Sequence, residues 1–216
     1  MNIAKNIEQI KSEVPSNVTL VAVSKTKPNK DLMEAYQAGQ RIFGENKIQE
    51  MTDKWEALPK DIEWHMVGHV QTNKVKYMAP YVSMVHAVHK IKLLKEINKR
   101  AKQENRVIDC LLQMKIAEED SKYGMTKEEI IDFLKDERLA NFQHIKIRGL
   151  MGMATFTDDQ DQLKREFSQL QNLYAELKHN YNFDVLSMGM TGDYQLAVEH
   201  DSTMIRIGSK IFGARD

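Results

Sequence analysis

The sequence predicts an α/β protein, a single (β/α)8 TIM barrel spanning residues 1–216. Three observations predict it. Eight short apolar runs recur along 216 residues. Amphipathic stretches of helical period lie between them. Four prolines (Pro15, Pro28, Pro59 and Pro80) fall between the periodic segments, where they do little harm. Strand alternating with helix implies parallel strands joined by helical crossovers. Eight such units in this length match a barrel at the small end of its range. A doubly wound open sheet is the alternative. It would usually carry a glycine-rich turn after its first strand, and here that turn reads Lys25-Thr26-Lys27-Pro28.

The elements follow in order. MNIAKNIEQIKSEV places apolar residues at helical spacing and lacks the long apolar run of a signal peptide. Strands are expected at 19–24 (TLVAVS), 41–43 (RIF), 63–67 (EWHMV) and 83–88 (SMVHAV). Four more are expected at 108–114 (IDCLLQM), 146–151 (KIRGLM), 184–188 (DVLSM) and 203–207 (TMIRI). Helices are expected at 30–38, 45–57 and over IKLLKEINKRAKQE, which puts Leu94, Ile97 and Ala101 on one face. The stretch 161–180 repeats Leu163, Phe167, Leu170, Tyr174 and Leu177 at helical spacing, with Asp158, Asp159 and Asp161 near its start. That stripe is core packing.

Composition narrows the function. Lys+Arg and Asp+Glu number 31 each, so no excess charge points to nucleic acid or to an acidic membrane. No stretch is apolar enough to span a bilayer. Cys110 is the one cysteine, so an internal disulfide is impossible and a reducing, cytoplasmic setting is expected. Its apolar surroundings read as a buried, inert thiol.

In a barrel, functional residues gather where strands end. Strand 1 ends at Lys25, on the same face as Thr19, Val21 and Val23. Two readings are open there. A lysine against apolar walls loses hydration, favours its neutral amine and can attack an aldehyde; alternatively, the strand simply surfaces and Lys25 reaches water. Strand 2 ends in FGEN, where Gly44 permits close approach and Asn46 offers an amide, or where both merely form a turn and cap. His65, His69, His86 and His89 lack a supporting carboxylate or cysteine cluster, so a bonded or exposed histidine is the better reading than a metal ligand. Lys122, between Ser121 and Tyr123, is a candidate for meeting an anion.

Strand 7 ends in LSMGMTGD and strand 8 in MIRIGSKIFGAR. Barrels often bind phosphate in these two loops. Gly189 and Gly192 permit tight curvature, Thr191 and Ser209 supply hydroxyls, and Gly208 lets a phosphate approach the main chain. Met204, Arg206 and Gly208 share one face of strand 8. An amine, a guanidinium and a phosphate site around one mouth suit pyridoxal 5′-phosphate, whose ring nitrogen an arginine is able to face.

The blocks VAVSKTKP, FGEN, WHMVGHVQTNK, DSKYGM, RGLMGMATF, LSMGMTGD and STMIRIGSKIFGAR run in order from residue 20 to 215. Together they resemble the pyridoxal phosphate homeostasis protein family. The resemblance implies a single barrel like the cofactor domain of alanine racemase (fold type III), with the cofactor held on Lys25 as a Schiff base. It implies Asn46 beside the cofactor, Arg206 at the pyridine nitrogen, and Ser187, Thr191, Gly208 and Ser209 with nearby backbone amides around the phosphate, in the loop that Gly189 lets curve. Ser209 stands where many relatives have threonine, which keeps the hydroxyl. The implied role is a non-catalytic carrier that takes up pyridoxal phosphate and supplies it to apo-enzymes, as a monomer or weak homodimer. An amino-acid racemase is the rival reading. Racemases of this fold usually need a second base, commonly a tyrosine from an added β domain, and the chain is expected to lack that domain because it ends at Asp216. A cofactor-free Schiff-base aldolase is the third reading, and it leaves Arg206 without a task.

Overall fold

A computed structural model of the chain describes residues 2–119 and 123–214. The strands are β1 (Thr19–Val23), β2 (Ile42–Glu45), β3 (Glu63–Met66), β4 (Val82–Val88), β5 (Ile108–Met114), β6 (Ile145–Gly152), β7 (Val185–Ser187) and β8 (Met204–Ile207). They pair in chain order, all parallel, and β8 returns to β1 to close the barrel. Around them lie α1 (Ile3–Glu13), α2 (Asn29–Gln37), α3 (Ile48–Ala57), α4 (Val75–Met78), α5 (Ile91–Gln103), α6 (Lys127–Leu134), α7 (Gln160–Tyr181), α8 (Tyr194–Glu199) and α9 (Ser209–Phe212). Among the described residues, no helix is long and apolar enough to cross a membrane.

Strand alternation divides the apolar residues between two cores. Val21, Met84, Leu111, Met151, Val185 and Met204 pack inside the barrel. Phe43, Trp64, Leu94, Ile97, Phe167 and Leu170 fill the layer between sheet and helices. The period-2 rule lets one strand feed both sets. The α7 stripe is buried at Leu163, Phe167, Leu170 and Leu177, each worth about 1.5–3 kcal/mol of burial. Asp159 caps that helix by accepting from the amides of Asp161 and Gln162, both at 3.0 Å.

The helix expected from residue 45 begins at Ile48. Glu45 instead extends β2, pairs with Met66 and buries its carboxylate against Lys54. The β7–β8 seam is also irregular. The two strands share one paired position, Ser187 with Met204. Backbone bonds continue the seam, from Thr203 N to the Leu186 carbonyl at 3.0 Å, from Met188 N to the Met204 carbonyl at 3.2 Å and from Arg206 N to the Gly189 carbonyl at 3.0 Å. Side-chain hydroxyls add to it: Ser202 Oγ donates to the Met188 carbonyl at 2.7 Å, and Thr203 Oγ1 accepts from Leu186 N at 2.8 Å.

Candidate functional site

At the C-terminal ends of the strands lies a cavity of about 460 Å³. Lys25, Asn46, Thr191, Arg206, Gly208 and Ser209 all line it. Strand alternation brings β1 to the cavity, and the strand ends at Val23, so Lys25 stands in the turn just beyond it. Val21 is inside the barrel, Val23 lines the cavity, and Lys25 follows two residues on.

The chain just before and after Lys25 is clamped from outside the barrel. Lys54, on α3, donates to the Ser24 carbonyl at 2.8 Å and to Glu45 Oε1 at 2.7 Å. Ser24 Oγ donates to the same Glu45 oxygen at 2.6 Å. Burial holds the Glu45 carboxyl above its ordinary range, although Lys54 and Ser24 pull the other way. Thr26 has a φ of 66°, a left-handed conformation that a β-branched residue seldom adopts. Its amide donates to Glu50 Oε1 at 2.5 Å, and the same oxygen accepts from Lys54 at 2.7 Å. Lys27 N donates to the Ser24 carbonyl at 3.0 Å, so Lys25 and Thr26 are the central residues of one strained turn, and the ion cluster of α3 holds it.

Arg206 rises from β8 with only 5% of its surface exposed. Burial pushes its guanidinium down to about 10, so it stays charged at neutral pH. Its Nη1 donates to Ser187 Oγ at 2.6 Å and its Nη2 to the Gly152 carbonyl at 2.9 Å. Ser187 therefore sits beneath Arg206, and it does not line the cavity. Its place on β7 points it into the barrel interior, where it meets Arg206 and His86 instead of a phosphate.

The two glycine loops have different jobs. Gly189 has a φ of 96°, and a Cβ there would lie 2.7 Å from the Ala197 Cβ. Its freedom makes the turn that seats the loop on α8, and its own atoms do not line the cavity. Gly192 lines the cavity, yet it has no positive φ, and a Cβ there would meet nothing within 4 Å, so curvature does not require glycine at that position. Asp193 shapes the loop between them by accepting from Met190 N at 2.5 Å. Gly208 precedes α9, and a Cβ there would approach the Val23 carbonyl to 3.2 Å, which favours a bare main chain.

Glu166 has no sequence signal of its own. Glu166 is fully buried on α7 and accepts from the Thr155 amide and hydroxyl, both at 2.7 Å, and from Glu118 N at 3.0 Å. It ties together the loops after β5 and β6. Phe156 lines the mouth yet is 93% exposed. His65 and His86 bond to each other inside the barrel at 3.0 Å, while His69 and His89 stand 5.6 Å apart, centroid to centroid. A strand pattern reveals that a histidine points inward, but not which groups it meets there. Cys110 is buried, and burial pushes its thiol up. Lys122 lies outside the described residues.

The family model for the alanine racemase N-terminal domain matches residues 1–216. The pyridoxal phosphate homeostasis protein of Pasteurella multocida is 37% identical, with 100% of this chain and 99% of that protein covered. Its counterpart in Escherichia coli strain K12 is 34% identical over 100% of this chain and 97% of that protein. The solved structure of PipY from Synechococcus elongatus with pyridoxal phosphate bound superposes with a TM-score of 0.88 at 33% identity, covering 98% of this chain and 100% of PipY. Alanine racemase from Clostridium difficile shares the fold at a TM-score of 0.83 and 11% identity, over 99% of this chain and 57% of that enzyme.

Proposed function

We propose, because the chain belongs to the alanine racemase N-terminal-domain family and matches pyridoxal phosphate homeostasis proteins over its whole length, that it binds pyridoxal 5′-phosphate and serves the homeostasis of that cofactor. The carrying observation is one cavity that gathers Lys25, Asn46, Thr191, Arg206, Gly208 and Ser209.

These residues fit the group. When bound, pyridoxal phosphate supplies an aldehyde that an amine can capture and a ring that withdraws electrons. Lys25 presents the amine. Arg206 presents a guanidinium, which donates and does not accept, so it suits an unprotonated ring nitrogen. That choice weakens electron withdrawal and favours holding over deep bond-breaking chemistry. Thr191 and Ser209 offer hydroxyls to the phosphate, and the first turn of α9 leaves amides without helical partners beside them. Asn46 offers a side-chain amide at the rim, and Val67 and Met153 supply apolar wall.

The chain acts as a carrier that holds the cofactor and passes it to apo-enzymes. Racemisation needs a base on each side of the reacting carbon. Among the described residues lining the cavity there is no tyrosine or histidine to serve opposite Lys25, and of its two carboxylates Asp158 is exposed and Asp193 accepts from Met190 N at 2.5 Å. Lys27 also lines it, but its ammonium donates to the Ala214 carbonyl at 2.8 Å.

Purified protein should be yellow, and borohydride should fix cofactor mass on Lys25. A colourless protein that borohydride leaves unmodified overturns the binding reading. Carriage is tested by transfer of bound cofactor to an apo-enzyme in the presence of a trap for the free form. Turnover of L-alanine that vanishes in Lys25→Ala supports the racemase and overturns the carrier.

A further inference from the structure

Arg206 ends a hydrogen-bonded line that runs away from the cavity through the barrel interior. After Arg206 Nη1 and Ser187 Oγ at 2.6 Å, Ser187 Oγ lies 3.2 Å from His86 Nδ1. His86 Nε2 then lies 3.0 Å from His65 Nδ1. All four side chains are buried. Nothing in the binding of a ligand by Lys25 or by the glycine loops uses the two histidines.

Arg206 sets the direction of every proton in the line. A guanidinium only donates, so Ser187 accepts from it and keeps its own proton to give. His86 Nδ1 is within reach to take that bond. A neutral imidazole that accepts on one nitrogen donates on the other, so His86 carries its proton on Nε2 and gives the bond to His65 Nδ1. The tautomers follow from this bonding pattern. A line whose bonds all point one way polarises each member, so Ser187 becomes a stronger acceptor for the guanidinium.

The charges around the line agree. Burial drives His86 well below its ordinary value, and the nearby positions of His65 and Arg206 push the same way. Burial lowers His65 to about 3, with Arg148 adding to the effect. Asp193 favours the charged form of Arg206 through space, while the acceptors that Arg206 contacts, Ser187 and Gly152, are neutral.

We propose that His86 and His65 are positioning residues: through Ser187 they hold Arg206 as a fixed donor toward the cavity, so that the site selects a ring whose facing nitrogen is an unprotonated acceptor. This rests on the reading that the cavity binds pyridoxal phosphate.

The test compares wild type with His86→Leu, His86→Gln and Ser187→Ala, using pyridoxal phosphate itself as the probe. Two quantities are read: the dissociation constant and the pH profile of the bound cofactor's visible band. Losing a bond that supports a charged group should weaken binding about tenfold in His86→Leu and Ser187→Ala. The pH profile should move by about one unit in both, the same factor of ten expressed in protons. Glutamine can accept and donate as a neutral imidazole does, so His86→Gln should stay within about threefold of wild type and overlay its profile. A lower melting temperature with affinity and profile unchanged in both disrupting variants marks the line as purely structural and overturns the inference. So does a glutamine variant no better than leucine. Ser187→Ala removes one oxygen and keeps the test open if the leucine variant does not fold. Wild-type protein that takes up no cofactor overturns the binding reading itself, whereas equal uptake by wild type and the disrupting variants overturns only the role of the line.

Discussion

Lys54 donates to Glu45 Oε1 at 2.7 Å with both side chains almost wholly withdrawn from water. The pair is not remote from the site. The same ammonium also grips the Ser24 carbonyl, one residue before Lys25, and Glu50, which holds the Thr26 amide one residue after.

Removing one member of such a buried pair strands the other. Lys54→Met should cost about 3–5 kcal/mol in urea unfolding. Adding Glu45→Gln should recover a good part of that loss, because the stranded charge is then gone. A single variant as stable as wild type would show that the pair contributes nothing.

Stability should fall with acid before the carboxylates begin to titrate. His65 and His86 are held neutral in the fold, their values lowered from 6.5, so below that pH the unfolded chain binds protons that the folded chain does not. The stability is therefore complete above pH 6.5 and is lost as pH falls. Each histidine contributes a slope of up to about 1.4 kcal/mol per pH unit. For His65 the window closes near its folded value of about 3. Urea unfolding between pH 7 and 5 reads this directly, and a flat profile there contradicts the neutral pair.

Two glycines in one loop should behave differently. Gly189→Ala forces a side chain into Ala197 at a left-handed φ and should cost about 2 kcal/mol. Gly192→Ala meets open space at an ordinary φ and should change stability by no more than about 0.5 kcal/mol. Thermal melts of the two variants side by side decide it; equal losses would refute the assignment of the turn to Gly189.

Arg206→Ala should leave the barrel folded and weaken pyridoxal phosphate retention by about tenfold or more. Burying a charge is costly, so its removal need not destabilise the protein. Equilibrium dialysis measures the retention, and an affinity equal to wild type would take Arg206 out of the site.

The barrel is legible because each strand carries its own signal. The run at 108–114 matches β5 end to end, and the other seven lie within two residues of their strands. The places of Lys25 and Arg206 at the mouth are legible for a related reason: alternation turns Arg206 on β8 toward it, and along β1 it brings Val23 to the cavity wall, two residues before Lys25. Glu45 misleads the helix boundary because a carboxylate with a buried lysine partner can stay in a strand, and that partner is nine residues away. Ser187 is hard to place for a related reason. The hydroxyl is visible in the sequence, but its depth in the barrel and its contact with His86, 101 residues earlier, are not. Periodicity gives the direction of a side chain; only the closed barrel gives its company.

The seam between β7 and β8 has one paired position, continued by three backbone bonds and a few hydroxyl stitches. The loop that carries Thr191 and helix α9, which opens at Ser209, leave the barrel on either side of that seam. A phosphate held on both sides, as the proposed site would hold it, would be a rivet across the joint with the fewest paired positions. Occupancy and barrel closure would then be one equilibrium, and amide exchange along β7 should slow as the cofactor is added.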